Sequence, residues 1–184
     1  MPHRIIIGGP PNSGKSTLAE SLARALRSLG VDAIAEDLDL ASPTLEFIRG
    51  AKGWEQRRGE KRDWTQDLAN KSAAIFEAAS IKHDVVIGDA PGKITEVSRT
   101  IAKKAHNAII LCREDAVDEV TDWKRSFEEL GVPVICVAVS KMTGTSNVEN
   151  NGVINATLVG LNRSPIVDES VLSLATLIKE KLGL

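Results

Sequence analysis

Apolar and polar positions follow two different rhythms along the chain. Short apolar runs fall at residues 4–8, 31–36, 84–88, 108–112, 132–139 and 153–159. Runs of this length, bounded by turn residues, read as strands covered on both faces. Between them lie stripes spaced by three and four. Leu18, Leu22, Leu26 and Leu29 form one, and Ile94, Val97, Ile101 and Ala105 a second. Val117, Val120, Trp123, Phe127 and Leu130 form a third, and Val171, Leu174, Ile178 and Leu182 a fourth. A further helix is predicted over 65–81, carrying Leu68, Ile75 and Phe76. Strand alternating with helix predicts an α/β fold, a three-layer, doubly wound, mostly parallel sheet with helices on both faces. Gly30 and Gly131 stand just past two of the helical stripes, where a left-handed residue ends a helix. A length of 184 residues suits one domain spanning 1–184.

Two segments depart from the rhythm. A basic insert at about 49–64 carries Arg49, Lys52, Arg57, Arg58, Lys61 and Arg62 against Glu55 and Glu60. It reads as a clamp on substrate phosphates, as an RNA or protein contact with Trp54 and Trp64 available for stacking, or as a solvated loop. Residues 140–151 are rich in Ser, Thr, Asn and Gly and read as a flexible loop.

The chemistry begins at residues 9–16, Gly-Pro-Pro-Asn-Ser-Gly-Lys-Ser, which match G-x-x-x-x-G-K-[ST]. An apolar strand precedes the run and a helical stripe follows it, the context this phosphate loop needs. Gly9 and Gly14 open backbone angles closed to other residues. Successive N–H groups then face one concavity, backed by a helix N-terminus. The expected nucleotide contacts are Gly9, Pro10, Asn12, Ser13, Gly14, Lys15, Ser16 and Thr17. Lys15 carries charge to the terminal phosphates and acts through their transfer. The Ser16 hydroxyl is placed to ligate Mg²⁺. On these residues the chain resembles P-loop NTPases.

In an open parallel sheet, ligands bind beyond the carboxyl ends of the strands. Asp89 ends the apolar run 84–88, the pattern of a carboxylate that holds Mg²⁺ opposite Ser16. Asp37 and Asp39 follow the second strand. They either serve an acceptor hydroxyl as a base or cap a helix ahead of Pro43 and Thr44. Arg113, Glu114 and Lys141 are expected on the same edge. His3, His83 and His106 each precede a strand and are expected on the opposite edge, away from catalysis. Trp123 belongs to an apolar stripe and reads as core.

The resemblance can be narrowed. Ras-like GTPases read guanine with an aspartate after the fifth strand, where this chain has Ser140-Lys141-Met142-Thr143. Dimeric partitioning ATPases carry an extra lysine early in the loop, where positions 10–13 are Pro, Pro, Asn and Ser. Small nucleotide and metabolite kinases are similar in the loop, the aspartates after strand two and the basic insert. That resemblance implies a Mg²⁺-dependent enzyme transferring phosphate from ATP to a small-molecule or nucleotide acceptor, with Lys15, Asp37, Asp39, Arg57 and Arg58 as catalytic residues. Asp89 with Ala90, Pro91 and Gly92 also completes D-x-x-G. In GTPases and dimeric ATPases the glycine N–H of that motif senses a γ-phosphate, which keeps open a nucleotide-hydrolysing switch acting on a protein or RNA partner. Gly92 is alternatively a turn residue opening a helix. A second resemblance, over roughly 84–140, is to NTPase domains attached to CRISPR-accessory RNA-binding proteins. It rests on residues 88–93, 108–111, Trp123 and residues 131–134, and assigns no residue a role.

Composition narrows the partners. A net charge of −2 gives no general electrostatic pull toward nucleic acid or membrane. Cys112 and Cys136 lie in apolar runs far apart and read as buried thiols, without metal-ligand spacing. With no run of signal-peptide or membrane-spanning character, the expectation is a cytoplasmic protein without a membrane partner.

Overall fold

The apolar runs pair into one sheet because each strand hides both faces. The structure, a computed structural model, describes residues 1–53 and 62–184. Seven strands make up the sheet: β1 (His3–Gly8), β2 (Ala33–Asp37), β3 (Val85–Asp89), β4 (Asn107–Arg113), β5 (Val134–Lys141), β6 (Asn147–Asn151) and β7 (Val153–Val159). Their order is β2-β3-β1-β4-β5-β7-β6. All neighbours are parallel except β6, which runs antiparallel to β7. The helices are α1 (Lys15–Ser28), α2 (Leu45–Ile48), α3 (Gln66–Ala79), α4 (Glu96–Ala102), α5 (Val120–Glu129) and α6 (Glu169–Leu182). A 3-10 segment, Glu114–Glu119, leads into α5.

Successive side chains of a strand point to opposite faces, and β1 shows the consequence. Ile5 and Ile7 join Leu18, Leu22 and Leu26 of α1 and Val171, Leu174 and Ile178 of α6 in one core. Ile6 joins Phe76 of α3, Ile101 of α4, and Trp123 and Phe127 of α5 in the other. The three layers follow from that alternation. Trp123 is core, 4% exposed. Gly30 and Gly131 have φ of +80° and +71°, the left-handed turns their positions call for. Thr65 caps α3 by accepting from Leu68 N–H at 3.2 Å.

Three sequence expectations need correction. The segment 140–151 is not all loop, because it contains β6. That strand escapes the apolar pattern since it is a sheet edge with mostly exposed Asn and Glu side chains. Val117 does not extend the α5 stripe: it is 46% exposed within the 3-10 segment. Ile94 precedes α4 and is 38% exposed, so it is not part of that helix's buried face.

Candidate functional site

The loop between β1 and α1 owes its shape to three positive φ angles: Gly9 at 144°, Asn12 at 60° and Gly14 at 91°. Asn12 is the non-glycine among them, and asparagine tolerates that region better than most residues. At Gly9 a Cβ would lie 1.9 Å from the Leu111 carbonyl oxygen, so β4 leaves no room for a side chain. The Lys15 ammonium donates to the carbonyls of Gly9 and Pro10, each at 2.9 Å, and thereby braces the loop across its mouth. Burial pushes the Lys15 pKa down, against the nearby charges of Asp89 and Asp39. The Ser13 hydroxyl is buried and without a hydrogen-bond partner among the described residues. The Thr17 hydroxyl turns the other way and donates to the Asn162 carbonyl.

The strand ends then bring three carboxylates to the loop. Asp89 ends β3 opposite Ile7 of β1 in the parallel register. It is 3% exposed and lies beside Ser16 of the loop. Burial pushes its carboxyl up to about 7, with repulsion from Asp37 adding and Lys15 and Ser16 opposing. Asp37 faces Asp89 across the β2–β3 pair. Burial likewise raises it to about 6, although three backbone N–H groups hold it down. Those donors are Thr44 at 2.5 Å, Leu45 at 2.9 Å and Asp39 at 3.2 Å. Asp37 therefore caps the start of α2, the second of its two sequence readings. Asp39 accepts from Ser42 N–H at 3.1 Å, and its charge reaches both Lys15 and Asp89.

Gly92 lies against the loop itself. A Cβ there would stand 2.9 Å from the Pro11 nitrogen, so the turn after Asp89 and the phosphate loop touch backbone to backbone. The basic insert divides. Arg49 donates to the buried Glu20 of α1 at 2.8 Å and to the Ala35 carbonyl at 2.6 Å. Lys52 pairs with Glu46 at 2.6 Å, and Arg62 donates to the Leu40 carbonyl at 3.0 Å. These contacts are structural ties between α1, β2 and the segment that follows. Trp54, Arg57, Arg58 and Lys61 lie outside the described residues. On the same sheet edge, Arg113 pairs with Asp115 at 2.8 Å and Lys141 with Glu114 at 3.7 Å. The histidines keep to the opposite edge. His106 bonds Arg4 at 2.8 Å, and His83 bonds Asp32 at 3.0 Å.

One contributor is absent from the sequence reading. The loop after β7 reaches the start of α1. There Leu161 Cβ would stand 3.0 Å from a Cβ at Gly14, beside the Thr17–Asn162 bond. Its residues follow the last apolar run, and the rule of strand carboxyl ends applied to 153–159 was the available signal.

No protein-family model matches the chain, and neither does any curated protein sequence. Solved structures do match in fold. The septum site-determining protein MinD of Pyrococcus horikoshii, complexed with Mg-ADP, superposes with a TM-score of 0.61 at 16% identity, over 76% of this chain and 70% of that one. The kinase domain of the Escherichia coli tyrosine kinase ETK gives 0.58 at 16% identity, over 78% and 69%. Cobyrinic acid a,c-diamide synthase of Mycobacterium smegmatis, with bound ATP analogue and magnesium, gives 0.54 at 15% identity, over 76% and 73%. The chain thus has the fold of P-loop NTPases. The missing lysine at positions 10–13 sets it apart from partitioning ATPases in sequence, but the likeness to MinD shows that this is no departure of fold.

Proposed function

We propose that the chain binds Mg·ATP in the loop 9–16 and catalyses transfer of its γ-phosphoryl group. The observation that carries this reading is the buried Asp89 carboxyl beside Ser16 and Lys15. A hydroxyl and a carboxylate side by side form the oxygen pair a hard cation takes. The unpartnered Ser13 hydroxyl, at the N-terminus of α1, suits phosphate oxygens. Mg²⁺, when bound, neutralises charge on the transferred group. In this reading Lys15 exchanges its two carbonyl acceptors for phosphate oxygens. Asp39, which holds the Ser42 N–H where Asp37 holds three backbone N–H groups, takes the proton of the attacking water or hydroxyl. Solved structures of similar fold hold Mg-ADP or an ATP analogue with magnesium, which supports the choice of nucleotide and ion.

Two uses of that chemistry remain in view, phosphorylation of a small acceptor and a hydrolytic switch. The Gly92–Pro11 contact favours the switch, because a change at the phosphates is felt directly by the turn after Asp89. The test is Asp89→Asn. It should abolish Mg²⁺-dependent ADP release while Mg²⁺-free nucleotide binding persists. Undiminished turnover with unchanged Mg²⁺ dependence would remove Asp89 from the site.

A further inference from the structure

A cavity of about 370 Å³ opens on the α5 side of the phosphate loop, away from Asp37 and Asp39. That volume falls within the range of small-molecule pockets, about 300–1,000 Å³. Its lining carries charge of both signs: Lys93, next to Gly92, and Glu119 and Asp122, at the entry to α5. Pro11, Ile94 and Trp123 supply apolar surface beside them. Lys93 and Glu119 have no ion-pair partner among the described residues. Asp122 reaches Arg125 at 3.4 Å in an exposed pair, the kind worth little.

Charges of both signs beside apolar surface in one cavity are complementary to a ligand that carries both charges and an apolar body. From this arrangement we infer that the cavity is a second ligand site, taking a small zwitterion of the apolar α-amino-acid kind. The ammonium lies against Glu119 and Asp122, the carboxylate against Lys93, and the side chain on Ile94 and Pro11. The site shares the Pro11 and Gly92 backbone with the phosphate loop, and the charge of Glu119 acts on Lys15. Neutralising Glu119 removes an anion that repels the nucleotide phosphates, whereas Lys93, whose neutralisation would act the other way, is not among the charges that act on Lys15. The two sites are therefore linked with positive sign, and reciprocally. The linkage rests on the nucleotide reading above; the zwitterion site itself does not.

Calorimetric titration of the full chain with L-leucine, L-methionine and L-phenylalanine tests this directly. 4-Methylpentanoate and 3-methylbutylamine serve as probes that each lack one charge of leucine. Saturable binding is expected for at least one amino acid and for neither single-charge probe. Lys93→Ala, and Glu119→Gln with Asp122→Asn, should each weaken it by about tenfold or more, as loss of a charged partner does, and Lys93→Arg should restore it. Mg·ATP should tighten amino-acid binding by about fivefold, the lower end of allosteric couplings. Binding of no amino acid, equal binding of a single-charge probe, or indifference to the substitutions would overturn the site. If the amino acid binds and Mg·ATP does not, the nucleotide reading falls and the cavity assignment stands. If both bind with no coupling or with opposite sign, the linkage is wrong.

Discussion

Asp37 and Asp89 stand opposite one another on the paired strands β2 and β3, a half-buried and a buried carboxyl at one level of the sheet. Both titrate above their ordinary 3.8, Asp37 at about 6 and Asp89 at about 7. From 3.8 up to about 7 the folded chain holds more protons than the unfolded one, so stability falls as pH rises through that window and levels above it. Urea midpoints of the nucleotide-free protein should drop between pH 5 and 7.5. Asp89→Asn should flatten the slope and stabilise the protein at pH 7.5 by on the order of 3 kcal/mol. Cation binding needs the ionised carboxylate, so Mg·ATP affinity should weaken below about pH 7. A flat profile for wild type would show that the pair is not strained.

The two aspartates after β2 should separate cleanly. At pH 5, below the Asp37 pKa of about 6, Asp37→Ala strips the cap from α2 and is expected to destabilise by about 1–2 kcal/mol, read as a lower urea midpoint; at pH 7.5 relief of the repulsion with Asp89 offsets that loss. Asp39→Ala should lower turnover by about 10²- to 10⁴-fold, the usual worth of a general base. Steady-state ADP release and denaturant midpoints on both variants check the division. The reverse pattern would hand the chemistry back to Asp37.

Space at two glycines sets a third expectation. Gly9→Ala places a methyl 1.9 Å from a carbonyl oxygen of β4. It should cost about 3 kcal/mol or more, because the neighbour is backbone within a sheet. Gly92→Ala meets the Pro11 backbone of an exposed loop at 2.9 Å. That loop can yield, so stability should change by less than about 2 kcal/mol, while nucleotide affinity falls as the loop is pushed aside. Thermal melts with and without Mg·ATP distinguish the two outcomes.

Lys15→Ala should leave a folded protein, since its ammonium braces only the loop it belongs to. At about one hundred times the dissociation constant, Mg·ATP should stabilise wild type by roughly 2.7 kcal/mol and the variant by almost nothing. A full thermal shift in the variant would exclude Lys15 from nucleotide binding.

Much of the architecture was legible because parallel strands bury both faces. Each of β1, β3, β4 and β7 announces itself as an apolar run, and Ile5, Ile6 and Ile7 already encode two cores. β6 was not legible, since an exposed edge strand has no apolar period and Asn147–Asn151 reads as loop. The turn between β1 and α1 was legible because its backbone shape, with positive φ at Gly9 and Gly14, demands fixed residue types. The choice between Asp37 and Asp39 was not. Asp37 holds the backbone N–H groups of Asp39, Thr44 and Leu45 and Asp39 that of Ser42, a division set by where the chain folds after β2, and no spacing states that.

The bond from Thr17 to the carbonyl of Asn162 joins positions 145 residues apart. It sits on the first turn of α1, directly behind the phosphate loop. During synthesis the loop emerges early, long before β7 and the segment that closes over it. A nascent chain thus carries its phosphate signature well ahead of the wall that completes it. Ligand protection against proteolysis should switch on abruptly, only once residue 162 has cleared the ribosome. On the proposed nucleotide reading, assembly order, as much as residue identity, decides when binding begins.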